Sequence, residues 1–394
     1  MRVNRSLAEL TSAVYFIQGA LGLNNVALPL YLRQAGLDIK GMTVLSSIVA
    51  LPWLLKPLFA ALSDTFPLWG FRRKSYVFIA SALSAAGWWC MAALPHFSAL
   101  TVLFIFLANA GFAMADVVTD GLVVEHSDAH TTQTYQSLSW GFRSLGAIVS
   151  GILGGWLTVK FGFRTVFALT GALPLLSLFI SISFKEAPAS QKSFTFAKIL
   201  KALVKSLSLI CKDELFWFSI LLLLGTVSAS FATPLFFYFK DNLGFRETLL
   251  GTVQSLSWIG AMIGCFVYYK FLKNTSLQKT LIIAIALDIM STLLCFLMFN
   301  RVSAITLSFI SGIMAYVTLL PLMAASAKLA HGTGIEGSLF AILMSVRNLG
   351  LVVSTFAGGQ LYPSIGLRGL ILLSALTSAC GFLVIKKLKS LSTS

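Results

Sequence analysis

Long apolar stretches alternate with short polar segments along the entire chain, at a spacing of roughly thirty residues. At about 1.5 Å of rise per residue, each stretch can cross about 30 Å of hydrocarbon as a helix. A helix also satisfies its own backbone hydrogen bonds, as lipid requires. The pattern predicts twelve membrane-spanning helices, at residues 7–31, 42–62, 75–94, 99–124, 133–159, 165–184, 215–239, 248–272, 278–299, 303–327, 335–361 and 367–386.

Composition agrees with lipid as the surrounding solvent. Hydrophobic residues occupy 57% of the 394 positions and charged residues 11%, which is more apolar surface than a soluble core of this size can hide. The five cysteines are dispersed without metal-ligand spacing, so we interpret them as small interior residues. We expect an all-α membrane protein without a cleaved leader, because the first apolar stretch is full length.

The longest polar stretch, residues 185–214, leaves six predicted helices on each side. We therefore expect an N-terminal six-helix bundle over residues 1–184, a cytoplasmic linker over 185–214 and a C-terminal six-helix bundle over 215–394. Because the linker carries six lysines, it should lie on the cytoplasmic side.

The two halves share a sequence motif. Residues 143–157 and 347–361 are identical at eight of fifteen positions, and each copy starts with an arginine inside a predicted span. Gly162 and Gly366 then follow at the same distance from that arginine. Because membrane-embedded arginines are rare, we interpret this match as an internal parallel repeat.

The distribution of Lys and Arg predicts the orientation. With both termini in the cytoplasm, eighteen of these residues flank cytoplasmic helix ends and eight flank the opposite side. We therefore expect cytoplasmic termini and a multi-pass protein of a cell membrane, or of the bacterial inner membrane. The formal charge of +15 is explained by these flanks facing anionic lipid. It does not indicate nucleic-acid binding, since the basic residues do not form one stripe with interleaved aromatics.

Ionisable residues within predicted spans are the strongest indication of function, because lipid makes each one costly, by about 2.5–3.5 kcal/mol. In the N-terminal half these include Lys56, Asp116, Asp120 and Arg143, whose formal charges sum to zero. Asp116 and Asp120 lie four residues apart on one helix face. We predict one buried network on the path of a proton or of the solute. A purely structural ion-pair network is the alternative.

In the C-terminal half we expect Arg347 to face a cavity, where a guanidinium favours an anionic group of the solute. Other polar and aromatic residues at similar depths are candidates for the pocket, although packing is the commoner role of a membrane tryptophan. These candidates are Gln18, Asn24, Trp53, Asn109, Gln136, Trp140, Gln254 and Trp258. The sequence QSLSW occurs around both Gln136 and Gln254, either as a second repeat or by convergence.

Two six-helix halves with a cytoplasmic linker are typical of the major facilitator superfamily, and residues 60–74 resemble its signature loop. Ala60 stands where a glycine is usual, and extra residues precede Gly70. The resemblance implies a cytoplasmic gate in which a carboxylate at a helix end pairs with basic residues and releases them as the halves rock. The gate residues would be Asp64, Arg72, Arg73 and Lys74. Alternatively, the basic residues only set the topology.

Three segments together resemble the folate-biopterin transporter family of that superfamily. They are LPWLLKPL followed by SDTFPLWGFRRKSY over residues 51–76, DVVTDGLVVE over 116–125, and QSLSWGFRSLG over 136–146. The resemblance implies proton-linked uptake of folates or pterins by alternating access. We expect the chain to function as a monomer. It also implies that Lys56, Asp116, Asp120 and Arg143 lie on the transport path. Asp288 would lie on a peripheral ninth helix, so its pairing with Arg347 is not expected.

Other functions stay open at this stage. The same fold could carry another small anionic solute, such as a muropeptide, a nucleoside-like compound or an amino-acid derivative. The chain could also be a membrane sensor that does not transport. We do not expect an enzyme, a metal or a cofactor, because the sequence lacks a nucleophile or metal motif. His126 and His130 are four residues apart, yet no third ligand accompanies them.

Overall fold

The computed structural model describes residues 4–126, 129–186, 188, 204–205, 207–211, 213–272, 275–331, 333 and 336–388. In these residues the regular structure is helical, apart from one isolated bridge between Leu68 and Phe71. Ten helical stretches of the described chain are long and apolar enough to cross a membrane. The chain is therefore an all-helical integral membrane protein that crosses the bilayer several times.

The predicted spans agree closely with the helices. Eight of the ten candidate spans begin and end within three residues of the predicted bounds. Several spans combine two helices through a short 3-10 turn, such as Leu21–Leu23. The helices are α1 (Arg5–Ala20), α2 (Asn24–Gln34), α3 (Ile39–Ala50), α4 (Lys56–Thr65), α5 (Lys74–Ala93), α6 (Ala99–His126), α7 (Ala129–Ala172), α8 (Pro174–Ser183), α9 (Asp213–Leu224), α10 (Ala232–Phe237), α11 (Glu247–Val267), α12 (Leu277–Leu294), α13 (Arg301–Ala330), α14 (Glu336–Ala379) and α15 (Gly381–Ile385).

The two remaining candidate spans are twice the usual length. They run over Leu138–Ser183, with 46 residues, and Leu339–Ile385, with 47 residues. Inside them, Gly162 has φ 77° and Gly366 has φ 64°, a backbone conformation that glycine adopts without steric cost. Both glycines lie in the connections that the sequence predicts between two spans. Each long stretch thus changes its backbone course at the predicted boundary.

Polar side chains cap helices at the ends of the apolar stretches. Oδ1 of Asn300 accepts a 2.8 Å hydrogen bond from the backbone N–H of Ser303, and the Ser303 hydroxyl accepts one of 3.1 Å from that of Asn300. This reciprocal capping box satisfies two backbone donors at the start of α13. Asp38 accepts a 2.7 Å bond from the N–H of Gly41 before α3 continues.

The chain divides into two compact units, each with its own apolar core. In the first unit the core includes Leu7, Tyr76 and Leu122. In the second it includes Phe218 and Leu339. The first unit comprises Met1–Gly36, Ile48–Ile199 and Glu247–Ser255, and the second comprises Leu37–Ser47, Leu200–Arg246 and Leu256–Ser394.

Within the first unit, two glycines allow α1 and α7 to cross closely. A Cβ atom on Gly19 would overlap the carbonyl oxygen of Arg143, and one on Gly146 would overlap that of Phe16. Small residues at helix crossings permit such backbone approach in membranes. The crossing places the backbone of Arg143 in α7 against Gly19 in α1.

Candidate functional site

Lys56 and Asp116 form a buried ion pair in the first unit. Nζ of Lys56, the first residue of α4, donates to Oδ2 of Asp116 in α6. The Asp116 side chain is 3% exposed and that of Lys56 is 21% exposed, so the pair has little water around it. The other carboxylate oxygen of Asp116 is buried without a hydrogen-bond partner in the described part of the chain. It can therefore accept a proton or a donor group.

Aromatic rings border this pair on one side. Nζ of Lys56 lies 4.8 Å from the centre of the Trp53 ring, a distance typical of a cation–π contact. The Trp53 ring in turn lies 6.0 Å from that of Phe112, which is one helical turn before Asp116. The 3-10 turn Leu51–Leu55, which contains Pro52, ends where α4 begins and so positions Trp53 beside Lys56.

Asp120, one helical turn after Asp116, contacts a different helix. Its Oδ1 accepts a 2.8 Å hydrogen bond from the hydroxyl group of Tyr15 in α1. Sequence reasoning did not select Tyr15, although it lies three residues before Gln18 on the same face of α1. This helical spacing could have identified Tyr15 as a candidate.

Arg143 completes this region through stacking contacts. Its guanidinium carbon lies 4.8 Å from the centre of the Trp140 ring, and the Trp140 ring lies 6.4 Å from that of Tyr15. Acidic, basic and aromatic side chains of α1, α4, α6 and α7 therefore follow one another inside the first unit. We call Tyr15, Lys56, Asp116, Asp120 and Arg143 the charged cluster.

Three pocket candidates lie along α1, α2 and the start of α11. Oε1 of Gln18 is buried and has no hydrogen-bond partner among the described residues. Asn24 is 7% exposed at the start of α2. The side-chain amide of Gln254 lies about 3.0 Å from the position of a Cβ on Gly22, so glycine makes room for it there. These polar groups belong to the first unit.

The other pocket candidates have more ordinary surroundings. The Asn109 amide donates to the carbonyl oxygen of Ile105 in its own helix, at 3.1 Å. The Trp258 ring packs edge-on against Tyr316, with centres 6.0 Å apart, inside the second unit. The side chain of Gln136 lies outside the described residues, as do those of His126 and His130.

A carboxylate that the sequence did not single out lies at the predicted gate. The Glu186 side chain accepts hydrogen bonds from the backbone N–H groups of Arg73, at 3.0 Å, and Lys74, at 2.7 Å. These groups start α5, where the helix dipole favours a negative charge. The side chain of Asp64 lies outside the described residues, so the predicted pairing of Asp64 is not visible.

The three basic residues at the start of α5, Arg72, Arg73 and Lys74, are partly or fully buried or hydrogen-bonded. Nζ of Lys74 donates to the carbonyl oxygens of Ile182, at 2.7 Å, and Phe184, at 2.9 Å. The Arg73 guanidinium is buried against Gly121, where a Cβ atom would overlap it. Arg72 is half-buried beside it. Gly121 follows Asp120 directly, so the Arg73 side chain contacts the helix that carries Asp116 and Asp120.

The second unit contains a cavity whose wall includes both Arg347 and Asp288. The cavity measures about 410 Å³ and is lined by both residues together with seven serine and threonine hydroxyl groups. Oδ2 of Asp288 accepts a 2.7 Å hydrogen bond from the Ser378 hydroxyl. We did not expect Asp288 to share a site with Arg347, because its helix was predicted to be peripheral. The structure places both residues on the wall of this cavity.

The chain is similar to known proteins in both sequence and structure. The BT1 family matches residues 18–372. A folate-biopterin transporter of Synechocystis sp. is 31% identical over 370 residues, covering 90% of this chain and 74% of that protein. A probable folate-biopterin transporter of Arabidopsis thaliana is 26% identical over 439 residues, covering 91% and 88%. A solved POT family transporter in complex with 5-aminolevulinic acid has a TM-score of 0.77 at 15% identity, covering 99% and 97%.

The structural likeness shows a shared fold with transporters, and the sequence matches show the family. They confirm the resemblance that three N-terminal segments indicated, and they extend it through most of the C-terminal half. They also agree with the prediction that the chain is not an enzyme. With a family match over residues 18–372 and a 31% identical relative, this multi-pass membrane protein belongs to the BT1 family of transporters.

Proposed function

We propose that this protein is a proton-coupled carrier that moves folate, biopterin or a related pterin across a cell membrane by alternating access. The observation that carries the proposal is the Lys56–Asp116 ion pair, buried one helical turn from Asp120 in a lipid-embedded unit. The names of the Synechocystis and Arabidopsis relatives support the choice of solute. The choice of folate or a pterin as solute rests on these relatives. The coupling to protons rests on the buried ionisable residues of the first unit.

The proposed topology has twelve spans with both termini in the cytoplasm. The long stretches divide at Gly162 and Gly366, because a straight helix of 46 or 47 residues would be about 70 Å long, over twice the hydrocarbon thickness. The halves are residues 1–184 and 215–394, joined by the cytoplasmic linker 185–214. The distribution of Lys and Arg supports this orientation. We propose that one chain is the transporting unit.

Protonation would change the net charge of the charged cluster. Lys56, Asp116, Asp120 and Arg143 sum to zero when all four are ionised. One proton on either carboxyl group leaves the cluster at +1, and a buried uncompensated charge is costly. A folate, whose glutamate tail is anionic, then restores neutrality. Proton binding and solute binding become thermodynamically coupled because each relieves the charge imbalance that the other creates.

A folate carries a group that arginine side chains can bind. The glutamate tail of a folate is anionic, and guanidinium groups bind carboxylates in a bidentate manner. Arg143 in the first unit and Arg347 in the second are the candidate partners for such groups. Asp64, Arg72, Arg73 and Lys74 would form the cytoplasmic gate, with Glu186 holding the start of α5.

Uptake of labelled folate and biopterin into reconstituted vesicles tests the proposal. We expect uptake to require an inward proton gradient and to fall sharply in Asp116→Asn, Asp120→Asn and Arg143→Ala. Matched controls are Asp38→Asn, which keeps a helix-capping side chain at an exposed site, and Arg5→Ala, which removes an exposed ion pair. Normal transport in all three cluster variants would remove the cluster from the mechanism. Uptake of other small anions without uptake of either pterin compound would overturn the solute.

A further inference from the structure

The second unit contains the cavity lined by Asp288 and Arg347, and its lining residues include none of the charged cluster. Its volume of about 410 Å³ falls within the roughly 300–1,000 Å³ range of small-molecule sites and is far above the roughly 30 Å³ that one water occupies. This volume fits an organic molecule better than a single ion.

Acceptor and donor groups on the cavity wall have a specific arrangement. Asp288 from α12 is the acidic residue among the described lining residues, and Arg347 from α14 is the basic one. A carboxylate offers about four lone-pair sites, and the Ser378 hydroxyl uses one of them. Asp288 thus keeps acceptor capacity for a ligand with paired N–H donors.

Hydroxyl groups and apolar surface complete the wall. Ser291 and Thr292 come from α12, whereas Ser311 comes from α13. Oγ of Ser311 is buried and has no hydrogen-bond partner within the described residues, so a ligand atom there would satisfy it. The Phe231 ring also lines the cavity and offers a face or an edge to a flat ring system.

We infer that this cavity binds the aminopteridine ring of the solute, with Asp288 accepting paired hydrogen bonds from its 2-amino group and ring N–H. The remaining ring nitrogen and oxygen acceptors would take hydrogen bonds from the serine and threonine hydroxyls of the wall. This inference rests on the proposed function, since it assigns the head group of a pterin solute to the second unit. The glutamate tail is not needed for it.

Cys295 provides a reporter, because it lines the same cavity. The experiment uses the full-length chain with the four other cysteines replaced by serine and measures maleimide alkylation of Cys295 in membranes. Biopterin has the ring without the glutamate tail, and p-aminobenzoylglutamate has the tail without the ring. We expect biopterin to slow alkylation and p-aminobenzoylglutamate to have no effect. Folate uptake by the same preparation is measured in parallel.

The variants separate a binding role from a structural one. Asp288→Asn should raise the biopterin concentration needed for protection roughly 10-fold or more, because a charged acceptor is lost. Asp38→Asn, the same change at an exposed capping site, should leave it unchanged. Ser311→Val adds bulk to the cavity without changing its charge and should also weaken the protection of Cys295 by biopterin. This variant replaces Asp288→Asn in the test if the Asp288→Asn protein does not accumulate in membranes.

The outcomes distinguish the two proposals. Folate uptake without protection of Cys295 by biopterin would overturn the cavity assignment and leave the proposed function standing. Equal protection in wild type, Asp288→Asn and Ser311→Val would overturn it as well. Protection without any uptake of folate or biopterin would support the cavity assignment and overturn the transport proposal. If biopterin does not protect Cys295 and neither folate nor biopterin is taken up, the cavity assignment and the transport proposal are both wrong.

Discussion

The hydroxyl group of Tyr15 donates a 2.8 Å hydrogen bond to Oδ1 of Asp120, and this bond joins α1 to α6. A buried acceptor without a donor is costly, so this bond stabilises the packing of the two helices. Because the donor comes from another helix, movement of α1 relative to α6 would stretch or break the bond.

Tyr15→Phe removes this donor while keeping the ring. We expect the free energy of unfolding to fall by about 1–3 kcal/mol, because a buried acceptor loses its partner. We also expect proton-driven folate uptake to fall several-fold more than in Tyr31→Phe, whose ring packs edge-on against Phe163 and Phe167. Thermal unfolding in detergent and vesicle uptake measure the two effects. Equal uptake in both variants would exclude Tyr15 from the transport path.

Lys56→Met leaves Asp116 buried without its counter-charge. Breaking a buried pair costs about 3–5 kcal/mol, and the partial exposure of Lys56 places the expected loss near the lower figure. The double variant Lys56→Met with Asp116→Asn should recover most of that stability, because both charges are gone. It should not recover transport. Denaturation in detergent and uptake by the two variants check this, and a double variant that transports normally would contradict it.

Gly146→Ala and Gly141→Ala form a matched pair within α7. A Cβ on Gly146 would overlap the Phe16 carbonyl oxygen, whereas one on Gly141 meets nothing within 4 Å. We expect Gly146→Ala to destabilise the protein by at least about 1–3 kcal/mol through overpacking. Gly141→Ala should be neutral or stabilising by up to about 1 kcal/mol. Reversed melting temperatures would show that α1 and α7 do not cross this closely.

Glu186→Ala removes the carboxylate that caps α5. Its bonds to the N–H groups of Arg73 and Lys74 lie at a helix N-terminus, so we expect a loss of about 0.5–2 kcal/mol. Glu9→Ala is the control, because Glu9 pairs with Arg5 at an exposed position and should contribute less than about 0.5 kcal/mol. Unfolding measured at low and high salt tests the difference. Equal effects would mean that Glu186 does not hold the gate segment.

Much of the fold was predictable because a helix that crosses lipid needs an apolar stretch of about 20 residues. The apolar stretches predicted the first and last residues of eight spans to within three residues. In the two remaining stretches, the glycines of the repeat lie at the predicted boundaries between spans. The sequence did not reveal the backbone conformation of these glycines, which is non-helical between two helical arms. That conformation depends on backbone angles, and hydropathy carries no information about them.

The site was predictable only in part. Charges within spans stand out, so Lys56, Asp116 and Arg143 were found from the cost of burying them. Tyr15 was missed because a tyrosine in an apolar helix resembles an interfacial residue. Glu186 was missed because it directly follows a span and looked like part of the linker. Asp288 was recognised, but its place on the same cavity wall as Arg347 depends on tertiary packing, which spacing along one helix cannot predict.

The turn at Gly162 and its counterpart at Gly366 constrain how the protein is made. Each turn contains a glycine with non-helical backbone angles between two helical arms. Under the twelve-span topology, the two arms on either side of each glycine would have to enter the bilayer together as a helical hairpin. A bulkier residue at either position would strain that hairpin during synthesis, and its first visible effect would be a shortage of inserted protein.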